Sequence, residues 1–356
     1  MTDIKSLSLA ELEEKIVSWQ EPKYRAKQVF EWLHKHLAGD VSEMTNLPKK
    51  FREKLAEEFY FPKLETADKL VSEADGTIKF LFRLEDSNVI ESVLMRYEHG
   101  YSVCISSQVG CRMGCSFCAS TIGGKIRDLT AGEMLEQIYH IEKFLKDPEN
   151  TSEKKGSFRV SNVVVMGTGE PFDNFENFCR FYERISDPDG FNLSGRNITV
   201  STCGLADKIY DLAEKDYSLT LAISLHAPND ILRQQIMPVA RAFTISQIMK
   251  ACDHYFAKTG RRITFEYSLI NDVNDTEECA RELSMLLKGK NCHVNLIPVN
   301  PVKERNYTRS DRNRTMAFKN ILEKNGINAT IRRGMGRDID AACGQLRRSY
   351  YEKADC

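Results

Sequence analysis

Three thiols crowd one short stretch, Cys111-Arg-Met-Gly-Cys115-Ser-Phe-Cys118, with spacers of three and two residues. Thiolates this close on one loop can all face a single soft metal centre. A structural zinc ion closes with four ligands, and Cys104 would supply the fourth sulfur. Zinc cysteines, however, usually come as two separated pairs, and no second pair follows downstream. Three thiols on one loop instead suit a four-iron cluster with one iron left open, the kind of Fe–S centre that feeds adenosylmethionine radical chemistry. Other polar groups sit where apolar runs end. Gly167-Thr-Gly169-Glu170-Pro171 follows Val160 to Met166, and glycines placed there let backbone approach a ligand. Ser201, Ser224-Leu225-His226 and Asn300 close later runs and offer neutral donors and acceptors, a capping role for His226 being the alternative. Glu91 interrupts the apolar run Val89 to Val93; periodicity alone reads it as a solvent-facing strand carboxylate. Cys343 lies among small residues in Ala341-Ala342-Cys343-Gly344, where by itself it reads as a small buried hydrophobe.

The elements that must position these groups follow from periodicity. Up to about Tyr60 apolar residues recur at helical spacing (Leu9, Leu12, Ile16, Trp19; Val29, Phe30, Leu33, Leu37), broken at Pro22 and Pro48, which predicts a helical accessory domain over residues 1–62. Residues 63–100 carry short β-branched and aromatic runs, Ile78 to Leu84 and Val89 to Met95, around turn formers, which predicts a β-hairpin extension. From 101 to 350 strand-like runs at Tyr101 to Ile105, Val160 to Met166, Ile198 to Ser201, Leu219 to Leu225, Ile263 to Ile270, Val294 to Val299 and Ala329 to Arg332 alternate with helical patterns. The helices fall at roughly Ala131 to Leu145, Phe175 to Ile185, Ile245 to Ala257, Thr276 to Leu287 and Asp311 to Lys324. That alternation predicts an α/β fold, a partial (β/α)6 barrel whose chemistry sits on loops after the strands' carboxyl ends. Asp147 to Gly156 reads as a loose insertion.

Composition narrows the class. At 356 residues, 42% hydrophobic and 28% charged, the chain is neither disordered nor collagen-like. No apolar run reaches the ~18 residues of a membrane span. The first twenty residues lack a secretory pattern, so a cytoplasmic, reducing compartment is expected, and there eleven cysteines serve as free thiols, metal ligands or chemistry rather than a disulfide framework. Formal net charge is −1, but it is unevenly spread: 15 basic against 19 acidic side chains over residues 1–100, 13 against 7 over 301–356. Residues 303–337 hold ten basic side chains against three acidic, with Tyr307 interleaved, a composition suited to phosphate contact and base stacking.

The string Cys104-Ile-Ser-Ser-Gln-Val-Gly-Cys111-Arg-Met-Gly-Cys115-Ser-Phe-Cys118 resembles one branch of the radical-SAM superfamily, the RlmN-type adenine-C2 methyltransferases of 23S rRNA and tRNA. The likeness continues through Met166-Gly-Thr-Gly-Glu-Pro171, Ser201-Thr-Cys-Gly204, Ser224-Leu-His-Ala-Pro-Asn-Asp230, Asn295-Leu-Ile-Pro-Val-Asn-Pro301 and Asp340-Ala-Ala-Cys-Gly-Gln-Leu346. It implies a [4Fe-4S] cluster held by Cys111, Cys115 and Cys118, its fourth iron chelated by S-adenosylmethionine. Adenosylmethionine contacts would come from Gly169, Glu170, Ser201, Ser224, Leu225, His226 and Asn300. Adenine C2 lies between two ring nitrogens and is no nucleophile, so a simple displacement cannot methylate it. The family relays the methyl through a cysteine, here Cys343, with two adenosylmethionines per turnover. A small-residue loop and a thiolate suit that relay. Cys104 would resolve the protein–RNA thioether by a transient disulfide with Cys343, and Glu91 would remove the C2 proton, burial lifting its pKa into a useful range. Implied partners are 23S rRNA, tRNA and an external, flavodoxin-like electron donor, and the protein is expected to act as a monomer without membrane attachment. Two alternatives stand beside this: Cfr-type methylation of adenine C8, which uses the same thiols, and a non-catalytic zinc-stabilised RNA-binding protein.

Overall fold

The structure is a computed structural model that describes residues 1–98, 100–150 and 159–339. Cys343 and the block Asp340 to Leu346 lie outside the described residues, as does most of the insertion after Asp147.

At the amino end, strand β1 (Thr2–Asp3) leads to helices α1 (Leu9–Ser18), α2 (Tyr24–His34) and α3 (Lys49–Glu58), then to β2 (Phe59–Tyr60), which pairs with β1 in parallel. Ser8 starts α1 with a reciprocal capping box to Glu11, which satisfies two otherwise orphaned N–H groups. The periodic residues bury as a separate apolar cluster running from Ile4 to Phe61, with Trp19 and Trp32 at its margin.

The rest of the described chain is built on one ten-stranded sheet. β3 (Glu65–Val71), β4 (Ile78–Arg83), β5 (Val89–Tyr97) and β6 (Gly100–Cys104) run antiparallel in succession. A small ribbon of β7 (Gln108–Gly110) and β8 (Lys125–Asp128) follows, then α4 (Ala131–Lys146), β9 (Val160–Val165), α5 (Phe175–Ser186), β10 (Ile198–Thr202), α6 (Ala206–Ala213) and β11 (Thr220–Ser224). Helices α7 (Asp230–Ile236) and α8 (Ile245–Thr259), β12 (Ile263–Leu269), α9 (Glu277–Leu287), β13 (Cys292–Pro298), α10 (Arg312–Lys324) and β14 (Ala329–Ile331) complete it. The order is β14-β13-β12-β11-β10-β9-β6-β5-β4-β3, parallel from β6 to β14. The expected barrel strands are therefore present, with three-residue β14 as a short seventh at the edge. The hairpin is not a detached extension: it continues the barrel sheet edge to edge, because β5 pairs with the free side of β6. Helices α6 and α7, each eight residues or fewer, were too short for their periodicity to stand out.

The main core lies between the sheet and its helices. Phe80 and Phe82 of β4 stack and meet Phe144 and His140 of α4, so they mark the outer face of the hairpin strands. Alternation then turns Lys79 and Leu81 to the inner face. Asp3 joins the two units: its carboxylate accepts from Thr130 Oγ1 at 2.6 Å and from Gly132 N at 3.1 Å, at the start of α4. The buried Lys5–Glu136 pair and the His34 Nδ1 to Tyr139 Oη bond at 2.8 Å strengthen that joint. Among the described residues, no helix is long and apolar enough to cross a membrane.

Candidate active site

The cysteine loop leaves the sheet after β6 and is pinched at its base by β7 and β8. Cys111 N donates to Gly124 O at 3.1 Å, and Gly110, at φ +79°, has no room for a Cβ against the Gly124 carbonyl. Cys111, Cys115 and Cys118 line one cavity of about 260 Å³ at the carboxyl ends of the parallel strands. Burial pushes the Cys111 thiol up to about 12 and raises Cys115 and Cys118 as well. Such thiols ionise only when a cation replaces their protons. Cys104 is not part of the cavity's lining, which leaves three thiols there, one short of a closed zinc site. The donor set thus fits a multi-iron cluster, whose thiolates bind different corners, better than a four-sulfur zinc site.

Gly169, Glu170, Ser201, Ser224 and His226 line the same cavity. Gly169 has φ +117°, and a Cβ there would sit 2.6 Å from Ser107 Oγ and 2.8 Å from Gln108 N. Glu170 is buried; its Oε1 accepts from Phe172 N at 3.0 Å and its Oε2 from Cys203 N at 2.7 Å. Burial still raises its pKa, so an ammonium in the cavity would find a carboxylate short of positive charge. Ser201 Oγ and Ser224 Oγ share a hydrogen bond of 3.0 Å. His226 Nδ1 accepts from Ser268 N at 2.9 Å, which fixes the tautomer with the proton on Nε2. Burial, with Arg233 nearby, pushes its pKa down to about 3, so it acts as a neutral donor. The other two expected contacts lie elsewhere. Leu225 points into the main core, as alternation after Ser224 requires, and Asn300 is exposed, its Oδ1 accepting from Arg309.

The inner face of the hairpin supplies a second group. Lys79 on β4 is in register with Val93 on β5, and Val93 with Cys104 on β6, so all three share one face; Glu91, two residues from Val93, joins them. Lys79 Nζ stands 3.1 Å from Glu91 Oε2, with both side chains buried. Glu91 is therefore no solvent-facing carboxylate. Burial raises the Cys104 pKa, with Arg332 opposing. Arg332, Glu266 and Met166 line both the thiol cavity and a second cavity of about 290 Å³ nearer the strands' amino ends, where Asn162, Asn197 and Asn295 project. Lys79, Cys203, Glu266 and Arg332 are site residues that periodicity missed. The available signal was Lys79 and Glu91, opposite charges each inside an apolar run on adjacent hairpin strands.

Several groups of the basic segment have partners within the chain. Tyr307 Oη bonds Ser116 Oγ at 2.8 Å, so its hydroxyl is tied to the cysteine loop, and Arg305 reaches Thr121 on that loop. Arg314 pairs with Asp272 and Lys319 with Glu323. Lys303, Arg312, Lys324 and Arg333 are exposed.

A parallel sheet with three thiols on a loop after its first parallel strand, facing a glycine–acid turn, defines a radical-SAM enzyme. Residues 105–283 match the radical SAM superfamily, and residues 2–61 match the ribosomal RNA large subunit methyltransferase N-terminal domain. A protein of Lachnoclostridium phytofermentans named "Probable dual-specificity RNA methyltransferase RlmN" is 57% identical, covering 99% of this chain and 96% of its own. A Lachnospira eligens protein of the same name is 56% identical, covering 100% and 98%. A crystal structure of a radical SAM methyltransferase from Sphaerobacter thermophilus superposes with a TM-score of 0.90 at 43% identity, covering 97% of this chain and 99% of that one. The chain belongs to the RlmN family of radical-SAM RNA methyltransferases. Membership sets aside the non-catalytic zinc reading and does not favour the C8 alternative.

Proposed function

We propose that this protein methylates C2 of adenine in 23S rRNA and in tRNA, with Cys343 carrying the methyl group. The observation that carries the reading is the row Lys79–Val93–Cys104 with Glu91 beside it, on strands that continue the sheet from β9, whose carboxyl end lines the thiol cavity. Cys111, Cys115 and Cys118 would hold a [4Fe-4S] cluster, and Glu170, Ser201, Ser224 and His226 would orient adenosylmethionine against it. The cluster, reduced by an external donor, would supply the electron that cleaves adenosylmethionine to a 5′-deoxyadenosyl radical. Two adenosylmethionines serve each turnover, one methylating Cys343 and one providing the radical.

The chain's own residues account for the rest. The 5′-deoxyadenosyl radical would take a hydrogen atom from the methyl group on Cys343, the methylene carbon so left on sulfur would bond to adenine C2, and the one electron in excess would return to the cluster when the C2 proton is lost. Glu91 removes the C2 proton, and the Lys79 ammonium at 3.1 Å offsets the negative charge of that carboxylate before transfer. Cys104, as thiolate, attacks the Cys343 sulfur; the S–C bond breaks with its electron pair on carbon, which takes up a proton to become the methyl group, and the two sulfurs end as a disulfide that an external reductant must reopen. RNA contact would come from Lys303, Arg312, Lys324 and Arg333, the exposed part of the basic segment, and from the N-terminal domain. We place the monomeric protein in the cytoplasm, where its RNA substrates are. The test is mass spectrometry of nucleosides from anaerobic reactions: wild-type protein yields 2-methyladenosine and Cys343→Ala yields none. Formation of 8-methyladenosine, or undiminished methylation by the variant, overturns the reading.

A further inference from the structure

The cysteine loop follows β6 and the glycine–acid turn follows β9, yet both line the thiol cavity. One carboxylate bridges them. Asp173 lies in the turn Pro171–Asn174, three residues after Glu170, with its side chain only 4% exposed. Its Oδ1 accepts from Arg112 Nε at 3.1 Å and from Arg112 Nη2, and its Oδ2 accepts from Gln108 Nε2 at 2.9 Å and from Lys125 Nζ at 3.0 Å. These donors span the base of the loop: Gln108 is on β7, Lys125 on β8, and Arg112 is the neighbour of Cys111. Asp128 Oδ1, also on β8, accepts from both Gln108 Nε2 and Lys125 Nζ at 2.8 Å. Buried Gln108 completes the bridge, because its Oε1 accepts from Glu170 N at 2.9 Å. Burial alone would raise the Asp173 pKa, but the donors from Arg112, Gln108 and Lys125 outweigh it and hold the carboxyl below its usual value.

We propose that Asp173 is a positioning residue that fixes the cysteine loop against the Gly169–Glu170 backbone, so that iron bound at Cys111 and the amino-acid end of adenosylmethionine meet at one spacing. The inference rests on the assignment of the cavity to a cluster and adenosylmethionine. All three thiols ride on one loop, so they can hold a cluster wherever that loop lies. Adenosylmethionine has no such freedom, since one molecule must reach both the iron on the loop and the acid turn. A misplacement of about 1 Å between groups that act together can cost on the order of a hundredfold, which is why a carboxylate with every lone pair engaged is suited to the task. Neither Asp173 nor Arg112 lines the cavity, so the effect is transmitted through Gln108 to the Glu170 amide and through Arg112 to Cys111.

The test compares wild-type protein with Asp173→Asn, Arg112→Gln and the double variant. Asn keeps the shape and one acceptor oxygen but turns a donor toward donors. In full-length protein without cluster, hydrogen exchange at the Glu170 and Cys111 amides should accelerate at least about threefold in Asp173→Asn. In reconstituted protein, iron–sulfur absorbance should stay at wild-type level. The adenosylmethionine concentration that half-saturates the change in the reduced cluster's EPR spectrum should rise about tenfold, the loss expected for one charge-assisted hydrogen bond. Arg112→Gln alters an exposed side chain and leaves Asp173 its other two partners; it should lose about threefold, and it carries the same test where Asp173→Asn does not fold. The double variant should lose no more than Asp173→Asn alone, because the two groups act through each other. Unchanged exchange overturns the bridge. Faster exchange with wild-type half-saturation, equal loss of absorbance and binding, or additive losses in the double variant overturn the positioning role. A wild-type cluster whose spectrum ignores adenosylmethionine overturns the assignment of the cavity, and the positioning role with it.

Discussion

His226 gives the most direct check on the electrostatics of the site. Its backbone sits at φ +56°, its carbonyl accepts from Asn274 Nδ2 at 2.7 Å, and its ring packs edge-on to Phe117 with centroids 5.0 Å apart. Protonating Nδ1 would break the bond from Ser268 N and place a second cation beside buried Arg233. Burial and Arg233 lower the pKa from 6.5 to about 3. A base whose folded pKa is depressed stays neutral in the native state while the unfolded chain takes up a proton, so stability is lost as pH falls below 6.5. By linkage the loss between pH 7.5 and 5.0 is about 2 kcal/mol, a roughly 30-fold shift in the unfolding equilibrium. The perturbation is His226→Asn, since Asn tolerates a positive φ, can still accept from the Ser268 amide, and does not titrate. Urea unfolding of wild type and variant is measured at both pH values. The variant loses ring packing equally at each, so the double difference isolates protonation: the advantage of His226 should shrink by about 2 kcal/mol at pH 5.0. A pH-independent difference, or an advantage that grows on acidification, would show that the imidazole titrates normally and would refute the neutral-donor role.

Because burial raises the pKa of all three loop thiols, cluster assembly must release protons; reconstitution with iron and sulfide should acidify a weakly buffered solution and proceed more completely at pH 8 than at pH 6. Cys115→Ser should abolish the iron–sulfur absorbance while leaving far-UV circular dichroism unchanged. Arg233 is fully buried and donates to the carbonyls of Leu225, Phe243 and Cys203; Arg233→Met strands those acceptors and should cost about 3 kcal/mol or more, read as a lowered unfolding midpoint. A Cβ on Gly132 would collide with the Asp3 carboxylate, so Gly132→Ala should destabilise by about 1–3 kcal/mol, and proteolysis should then release the N-terminal helices sooner.

Much of the site was legible because its signals are local. Cys111, Cys115 and Cys118 share one loop, and Gly169, Glu170, Ser201 and Ser224 each fall at or just after the carboxyl end of a strand that periodicity could find. The unread part depends on pairing between strands. Glu91 looks like a surface carboxylate until β4 is set beside β5 and Lys79 comes within 3.1 Å of it. Glu266 and Arg332 belong to different elements and reach the same cavities only once β12, β13 and β14 are paired. A count of charges likewise does not reveal that Arg314 faces Asp272 or that Tyr307 is tied to Ser116.

β6 has β9 on one side and β5 on the other, so a group alongside Cys104 on the hairpin side comes from β5. The observed register places Glu91 on the inner face, and the next strand back brings Lys79 to it. Side chains alternate with period two, so slipping β5 by one residue would turn Glu91 outward toward α4 and leave Lys79 buried without its carboxylate. The same hairpin's turn holds Gly336 and Asp338. A single antiparallel unit therefore does two things: its strands set the Lys79–Glu91 pair on the face that carries Cys104, and its turn holds the chain at Gly336 and Asp338.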